Sequence, residues 1–172
     1  MESKLTFPRL ARIQIHPIKS LDPVEVSAAT IGSAGSLQFD RAWAIYTLDG
    51  RLITATRVPA LHLIRATYEP NFATVTLAVA NDRRNIPVAT FAFPADTASA
   101  AEWFSKFLGY PVMVRHEPAG IPDDLIASGP TIISTASLQT VCEWFSGITL
   151  AEARLRFRAT LELNGVPPFW ED

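Results

Sequence analysis

Residues 42–54, AWAIYTLDGRLIT, decide the fold. An apolar run rich in aromatic and branched side chains enters Asp49-Gly50, and a second short run leaves it. This is the pattern of two strands joined by a tight turn. Asp-Gly tolerates positive φ at both central positions of a hairpin turn, so this segment predicts a β-hairpin with 49–50 at its tip.

Working outward, the neighbouring segments repeat the strand pattern. Residues 12–16 alternate through Ile13 and Ile15, 24–31 are rich in β-branched side chains, and 61–68, 73–79 and 86–91 complete a β-rich half. Short extended runs bounded by turn residues at this spacing predict an antiparallel sheet or barrel. After Phe93-Pro94 the period changes. Ala98, Ala101, Phe104, Phe107 and Leu108 fall at helical spacing behind Asp96 or Thr97 as a cap, and Gly109 ends the helix. Residues 111–116 read as a further strand, and 117–129, with two Pro and two Gly, as a loop.

The texture alters again at Pro130. Residues 131–134 read as extended, and Leu138, Val141, Cys142 and Phe145 form the stripe of a second helix, with Cys142 a small hydrophobe on its buried face. Thr149-Leu-Ala-Glu152 is a capping box that starts a short helix to about residue 156. A strand over 157–163 and an Asn164-Gly165 turn follow, and the chain closes on Pro167-Pro-Phe-Trp-Glu-Asp172. The expected fold is therefore mostly β with a few helices, an α+β chain in two units: 1–118, a linker at 119–129, and 130–172.

Composition excludes several classes. With 48% apolar and 19% charged residues, enough apolar surface is present to offset the ordering entropy that defeats disordered chains. A formal charge of −2 over 172 residues gives no field to steer nucleic acid, so any basic site must be local. The single cysteine cannot form an internal disulfide, which suits a reducing cytoplasm. The N-terminus lacks the apolar run of a signal peptide, and no stretch approaches the roughly 18 apolar residues of a membrane span.

Hydrolase, nucleotide, dinucleotide and zinc signatures are absent, and the three His, at 16, 62 and 116, are scattered. What remains is polar punctuation inside apolar strands. Lys19 and Ser20 follow a rigid Pro, where an ammonium and a hydroxyl suit an oxyanion; a solvated Lys and a turn Ser fit the same residues. Arg41 carries a fork of donors for carboxylate or phosphate, or pairs with Asp40. Ser134 and Ser137 have the spacing of a helix cap, at a junction whose amides also attract anions. Arg154, Arg156 and Arg158 straddle a helix end and a strand start.

Taken in order, IQIHPIKSLDPVEV at 13–26, GSLQFDRAWAIYTLDGRLITATRVPALHLI at 35–64, TIISTASL at 131–138 and RFRATLELNGVPPFWED at 156–172 resemble the N-terminal β-barrel region and the opening of a MOSC domain protein. That family includes the C-terminal region of molybdenum cofactor sulfurases and the amidoxime-reducing components. The resemblance implies that 1–118 is the MOSC N-terminal barrel and 130–172 the truncated start of a MOSC domain, an incomplete second barrel. It assigns Lys19, Ser20, Arg41, Ser137 and Arg158 to the phosphate and pterin of the molybdenum cofactor, and no residue to catalysis or to the metal.

Two departures bear on that reading. Arg158-Ala159-Thr160 stands where many relatives have Arg-Pro-Asn, and the family's metal-ligating cysteine falls downstream of Glu171-Asp172, at a position Cys142 does not match. The resemblance implies a parent that is an oxidoreductase reducing N-hydroxylated compounds or a cofactor sulfur-transfer protein, with a redox or sulfur-donor protein as partner. The 172 residues are expected to be inactive alone, and the resemblance leaves open whether the cofactor is retained without the downstream region. A sulfurase also needs an aminotransferase-like domain with pyridoxal phosphate, for which there is no room. The rival reading is a non-catalytic β-barrel interaction module, with apolar surface near Phe157, Phe169 and Trp170 and dimerisation through it.

Overall fold

A computed structural model describes residues 7–81, 84–118 and 129–172. Among these, nine strands and three α-helices alternate as β1 Arg9–Ile15, β2 Val24–Val26, β3 Trp43–Thr47, β4 Ile64–Tyr68, β5 Thr74–Val79, β6 Ala89–Ala92, α1 Thr97–Leu108, β7 Val112–His116, β8 Ile132–Ser134, α2 Thr135–Trp144, α3 Leu150–Phe157 and β9 Leu161–Asn164. The chain is α+β and β-rich. Three sheets form, in the orders β2-β1-β9-β8, β3-β7 and β4-β5-β6. All pairs are antiparallel except β8 with β9, which run parallel because α2 and α3 make the crossover between them.

One apolar cluster unites the middle of the chain. Ile18, Leu21, Ile45, Leu61, Ile64, Val75, Leu77 and Phe104 are buried within it. Each such side chain contributes roughly 1.5–3 kcal/mol by leaving water. Helix α1 closes this core because its sequence puts Ala100, Trp103, Phe104 and Phe107 on one buried face. The Trp103 indole N–H is satisfied by the Pro87 carbonyl at 2.7 Å. Gly109, at φ +82°, ends the helix in the left-handed conformation that costs glycine nothing. The expected side-chain cap is absent, since the Asp96 carboxylate accepts from the Ala92 amide at 2.8 Å instead.

The hairpin forms with Asp49 and Gly50 in its loop, but its turn differs from the two-residue one predicted. The Gly50 amide bonds the Thr47 carbonyl at 2.9 Å and the Thr47 amide bonds the Arg51 carbonyl at 2.9 Å. Of the Asp49-Gly50 pair only Gly50 takes positive φ, +84°. The loop is thus a turn over 47–50 that ends on its one left-handed residue, Gly50, the three-residue solution with a bulge. The return leg joins β3 through a Tyr46–Leu52 bridge and an Ile53 amide bond to the Ile45 carbonyl, and the full ladder partner of β3 is β7.

Other boundaries shift for local reasons. The strand expected over 61–68 begins at Ile64, because Pro59 starts a 3-10 turn, Pro59–Leu63, that drops Leu61 into the core. The strand expected over 24–31 stops at Val26, leaving Ile31 exposed with only a bridge to Leu37. The strand expected over 86–91 is displaced to β6. Helix α3 runs through Phe157 before β9 starts at Leu161, shortening the strand expected over 157–163. Of the loop expected at 117–129, residues 119–128 lie outside the described residues. Cys142 is only partly buried, since in α2 the core-facing positions are Ser137 and Leu138.

Candidate functional site

Two loops carry the polar residues singled out in the sequence, and backbone hydrogen bonds lace them together. The Arg41 amide donates to the His16 carbonyl at 2.7 Å, the Trp43 amide to Pro17 at 3.0 Å, and the Lys19 amide to Trp43 at 2.8 Å. A parallel bridge joins Ile18 to Trp43. Residues 18–21 then turn, closed by the Leu21 amide on the Ile18 carbonyl at 3.1 Å, with Ser20 third in the turn at φ +73°. That position normally selects Gly or Asn.

The same strain recurs where the other loops reach this place. Arg41 sits at φ +52°, and Arg158, the C-cap of α3, at φ +55°. A side chain in the left-handed region costs about 1–2 kcal/mol that glycine would avoid. Three candidate residues keep side chains where the backbone favours none.

These residues converge on a cavity of about 350 Å³ lined by Lys19, Ser20, Arg41, Arg156 and Arg158, with Thr54, Thr56, His62 and Thr131 beside them. Four of its lining side chains are basic, Lys19, Arg41, Arg156 and Arg158, and no carboxylate lines it among the described residues. Lys19 and Arg41 are more than nine-tenths buried, an arrangement that needs nearby negative charge to offset desolvation. A second cavity of about 420 Å³ adjoins it, sharing Ser20, His62, Arg156 and Arg158. Its two acids are already engaged: Asp22 holds Arg65 at 2.7 Å and the Ala66 amide at 3.1 Å, and Glu152 completes the capping box of α3.

Asp40 anchors the arginine. One carboxylate oxygen takes the Arg41 guanidinium, and the other accepts the His16 backbone amide at 2.8 Å. Burial raises the Asp40 carboxyl, but His16 and the Arg41 charge outweigh it and hold it below the usual carboxylate range. Arg158 donates from Nη2 to the Leu21 carbonyl at 2.8 Å, which aims it across the 18–21 turn. Ser20 accepts the Ala55 amide at 3.0 Å, leaving its hydroxyl hydrogen as a donor.

Ser137 stands apart from this group. It does not line the cavity; its oxygen accepts the Phe169 amide at 2.7 Å and lies 2.7 Å from the Ser134 oxygen, which caps α2 by accepting the Ser137 amide at 2.9 Å. The anion at this junction is the chain's own Glu171, whose carboxylate accepts the Ser134 amide at 2.9 Å. Thr160 is likewise spent internally, donating to the Thr131 carbonyl at 3.0 Å. Arg154 grips Glu162 with two nitrogens, at 2.7 and 2.9 Å, and serves the fold.

Sequence reasoning left Arg156, Thr54, Thr56, Thr131 and His62 without a role here. Only Arg156 carried a signal, its two-residue spacing from Arg158. The threonines and His62 reach the cavity through turns that no local pattern announces.

Among the described residues no group of three or more His, Cys, Asp or Glu could hold a metal ion, and no helix is long and apolar enough to cross a membrane. Cys142, on α2, is not among the cavity's residues.

The fold is that of a β-rich α+β protein in which two polar loops, at 16–21 and 40–43, are hydrogen-bonded together. The family described as MOSC N-terminal beta barrel domain matches residues 7–111, more than half of the chain, and the chain belongs to it. Comparison with curated proteins found no match. The matched region supplies Lys19, Ser20 and Arg41, whereas Thr131, Arg156 and Arg158 lie beyond it.

Proposed function

We propose that the cationic cavity binds the phosphate of the molybdenum cofactor's phosphorylated pterin. The observation that carries the reading is a cavity with four cations, several hydroxyls and no carboxylate among its described residues. Guanidinium forks and hydroxyl donors suit a tetrahedral dianion, which can accept several charge-assisted hydrogen bonds at once. The left-handed backbone at Ser20, Arg41 and Arg158 supports it further, because strain of this kind persists where a side chain must be held in one direction.

In this reading Asp40 orients Arg41, Ser20 donates its hydroxyl, and Lys19, Arg156 and Arg158 supply charge around the phosphate. The donor set fits the phosphate end of the cofactor. For the metal end, no thiolate lines the cavity among the described residues. When bound, the cofactor supplies a metal centre for reduction of N-hydroxylated compounds or for sulfur handling, the two activities the family resemblance implies. The protein's own part is to hold and orient the group.

Calorimetric titration of the protein with the phosphorylated pterin tests this. Arg156 is exposed and can be changed without disturbing the core, so Arg156→Gln should fold normally and bind about tenfold more weakly, the loss of one charge-assisted contact. Arg41→Ala should lose more. Undiminished binding in both variants would overturn the assignment.

A further inference from the structure

We propose that anion occupancy of the cationic cavity is coupled to proton uptake by the buried His16 ring, through Asp40 and Arg41, so that the site holds its anion more tightly as pH falls. The inference rests on the reading of the cavity as an anion site. His16 is wholly buried, and neither of its ring nitrogens has a hydrogen-bond partner. Buried polar atoms left in this state are rare and ask for a cause. Its Nδ1 lies 3.6 Å from the Asp40 carboxylate, too far for a hydrogen bond but close enough for a strong charge interaction once the ring is protonated.

Asp40 is therefore shared. One oxygen holds the Arg41 guanidinium that lines the cavity, while the other faces His16 and accepts its backbone amide. The charged groups acting on the ring are Asp40, which favours the proton, and Arg158 and Arg41, which oppose it. Burial, aided by these two arginines, lowers the ring's proton affinity below that of an ordinary imidazole despite Asp40. Both opposing cations line the cavity. An anion there neutralises them and draws on the Arg41 charge that now compensates Asp40. The balance at His16 then shifts towards the imidazolium, which closes onto the carboxylate 3.6 Å away. By reciprocity, protonating His16 must strengthen anion binding by the same factor.

The test uses sulfate, a tetrahedral dianion that does not itself titrate near neutral pH. It is run on His62→Gln, to remove the exposed histidine of the cavity, and on His62→Gln with His16→Gln. Calorimetry at about pH 6, in two buffers of different ionisation enthalpy, reads protons taken up per sulfate. The single variant should take up a measurable fraction of a proton and bind sulfate several-fold more tightly at about pH 5.5 than at about pH 7.5; the double variant should do neither. Should the double variant not fold, the His16 ring titration followed by NMR in the single variant decides: saturating sulfate should raise its midpoint by about half a pH unit or more. Sulfate binding with no proton uptake and an unmoved His16 midpoint would overturn the coupling and leave the anion site standing. No sulfate binding at any pH would overturn the anion reading and the coupling with it.

Discussion

At the scale of single residues, the cavity is built against local preference. Ser20, Arg41 and Arg158 occupy left-handed backbone that glycine would fill without strain. Replacing Arg158 by glycine separates the cost from the purpose. Arg158→Gly relieves the backbone but loses the bond to Leu21, so its stability should stay within about 1 kcal/mol of the parent, while affinity for sulfate or phosphorylated pterin falls at least about tenfold. Denaturant midpoints and calorimetry on the same samples check both halves. Glu162 makes the opposite case, a charge kept for stability. Burial raises its carboxyl, but Arg154 and Thr135 outweigh burial and leave it lowered from 4.5. A lowered folded value means the unfolded chain binds more protons, so this stability is complete above the unfolded value and is lost as pH falls through the folded one. Glu162→Gln should cost about 2 kcal/mol at neutral pH and reduce the loss of stability on acidification below about pH 4.5; urea unfolding at neutral and acid pH reads it.

At the scale of elements, the site depends on how strands β1 and β9 meet. Gly165, just past β9, has φ +79°, and a Cβ there would stand 2.6 Å from the Phe7 carbonyl oxygen. Both the conformation and the close approach of the incoming chain require glycine. Gly165→Ala should destabilise the protein by about 2 kcal/mol or more, measured by thermal unfolding, and a neutral result would mean that the chain ahead of β1 can move aside. Helix α3 shows an element defined at both ends. Its capping box starts it at Thr149, where the hydroxyl receives the Glu152 amide at 3.2 Å and the Glu152 carboxylate receives the Thr149 amide at 2.8 Å. Its left-handed C-cap is Arg158 itself. Ending the helix there turns that arginine towards the 18–21 loop.

For the whole molecule, β1 is the hinge of the architecture. It pairs with β2 through Ile13, Gln14 and Ile15, and with β9 from Arg9 to Ile13, so the first strand lies between its sequence neighbour and the last strand of the chain. The cavity likewise takes Lys19 and Arg41 from the first part and Thr131, Arg156 and Arg158 from the last. Such shared pairing predicts cooperative unfolding. Fluorescence of variants retaining only Trp103, on the buried face of α1, or only Trp144, stacked on Phe169, should report one coincident denaturant transition. An earlier transition at Trp144 would show that 129–172 unfolds as a separate unit.

The β-rich α+β class, the helix over Thr97–Leu108 with its Gly109 stop, the capping box at Thr149 and the polar loops at 19–20 and 40–41 were legible from the residues alone. These rest on period, turn chemistry and capping, which act within a few residues. Three-dimensional packing set which strand pairs with which, brought Leu61 into the core through a 3-10 turn, and joined Ser137 to the Phe169 amide and α2's first turn to Glu171. It alone placed the unpartnered His16 ring behind Asp40 and gathered four cations round one cavity. The reason is physical: long-range pairing and the field of distant charges depend on where loops from opposite ends of the chain come to rest, and no local pattern encodes that distance.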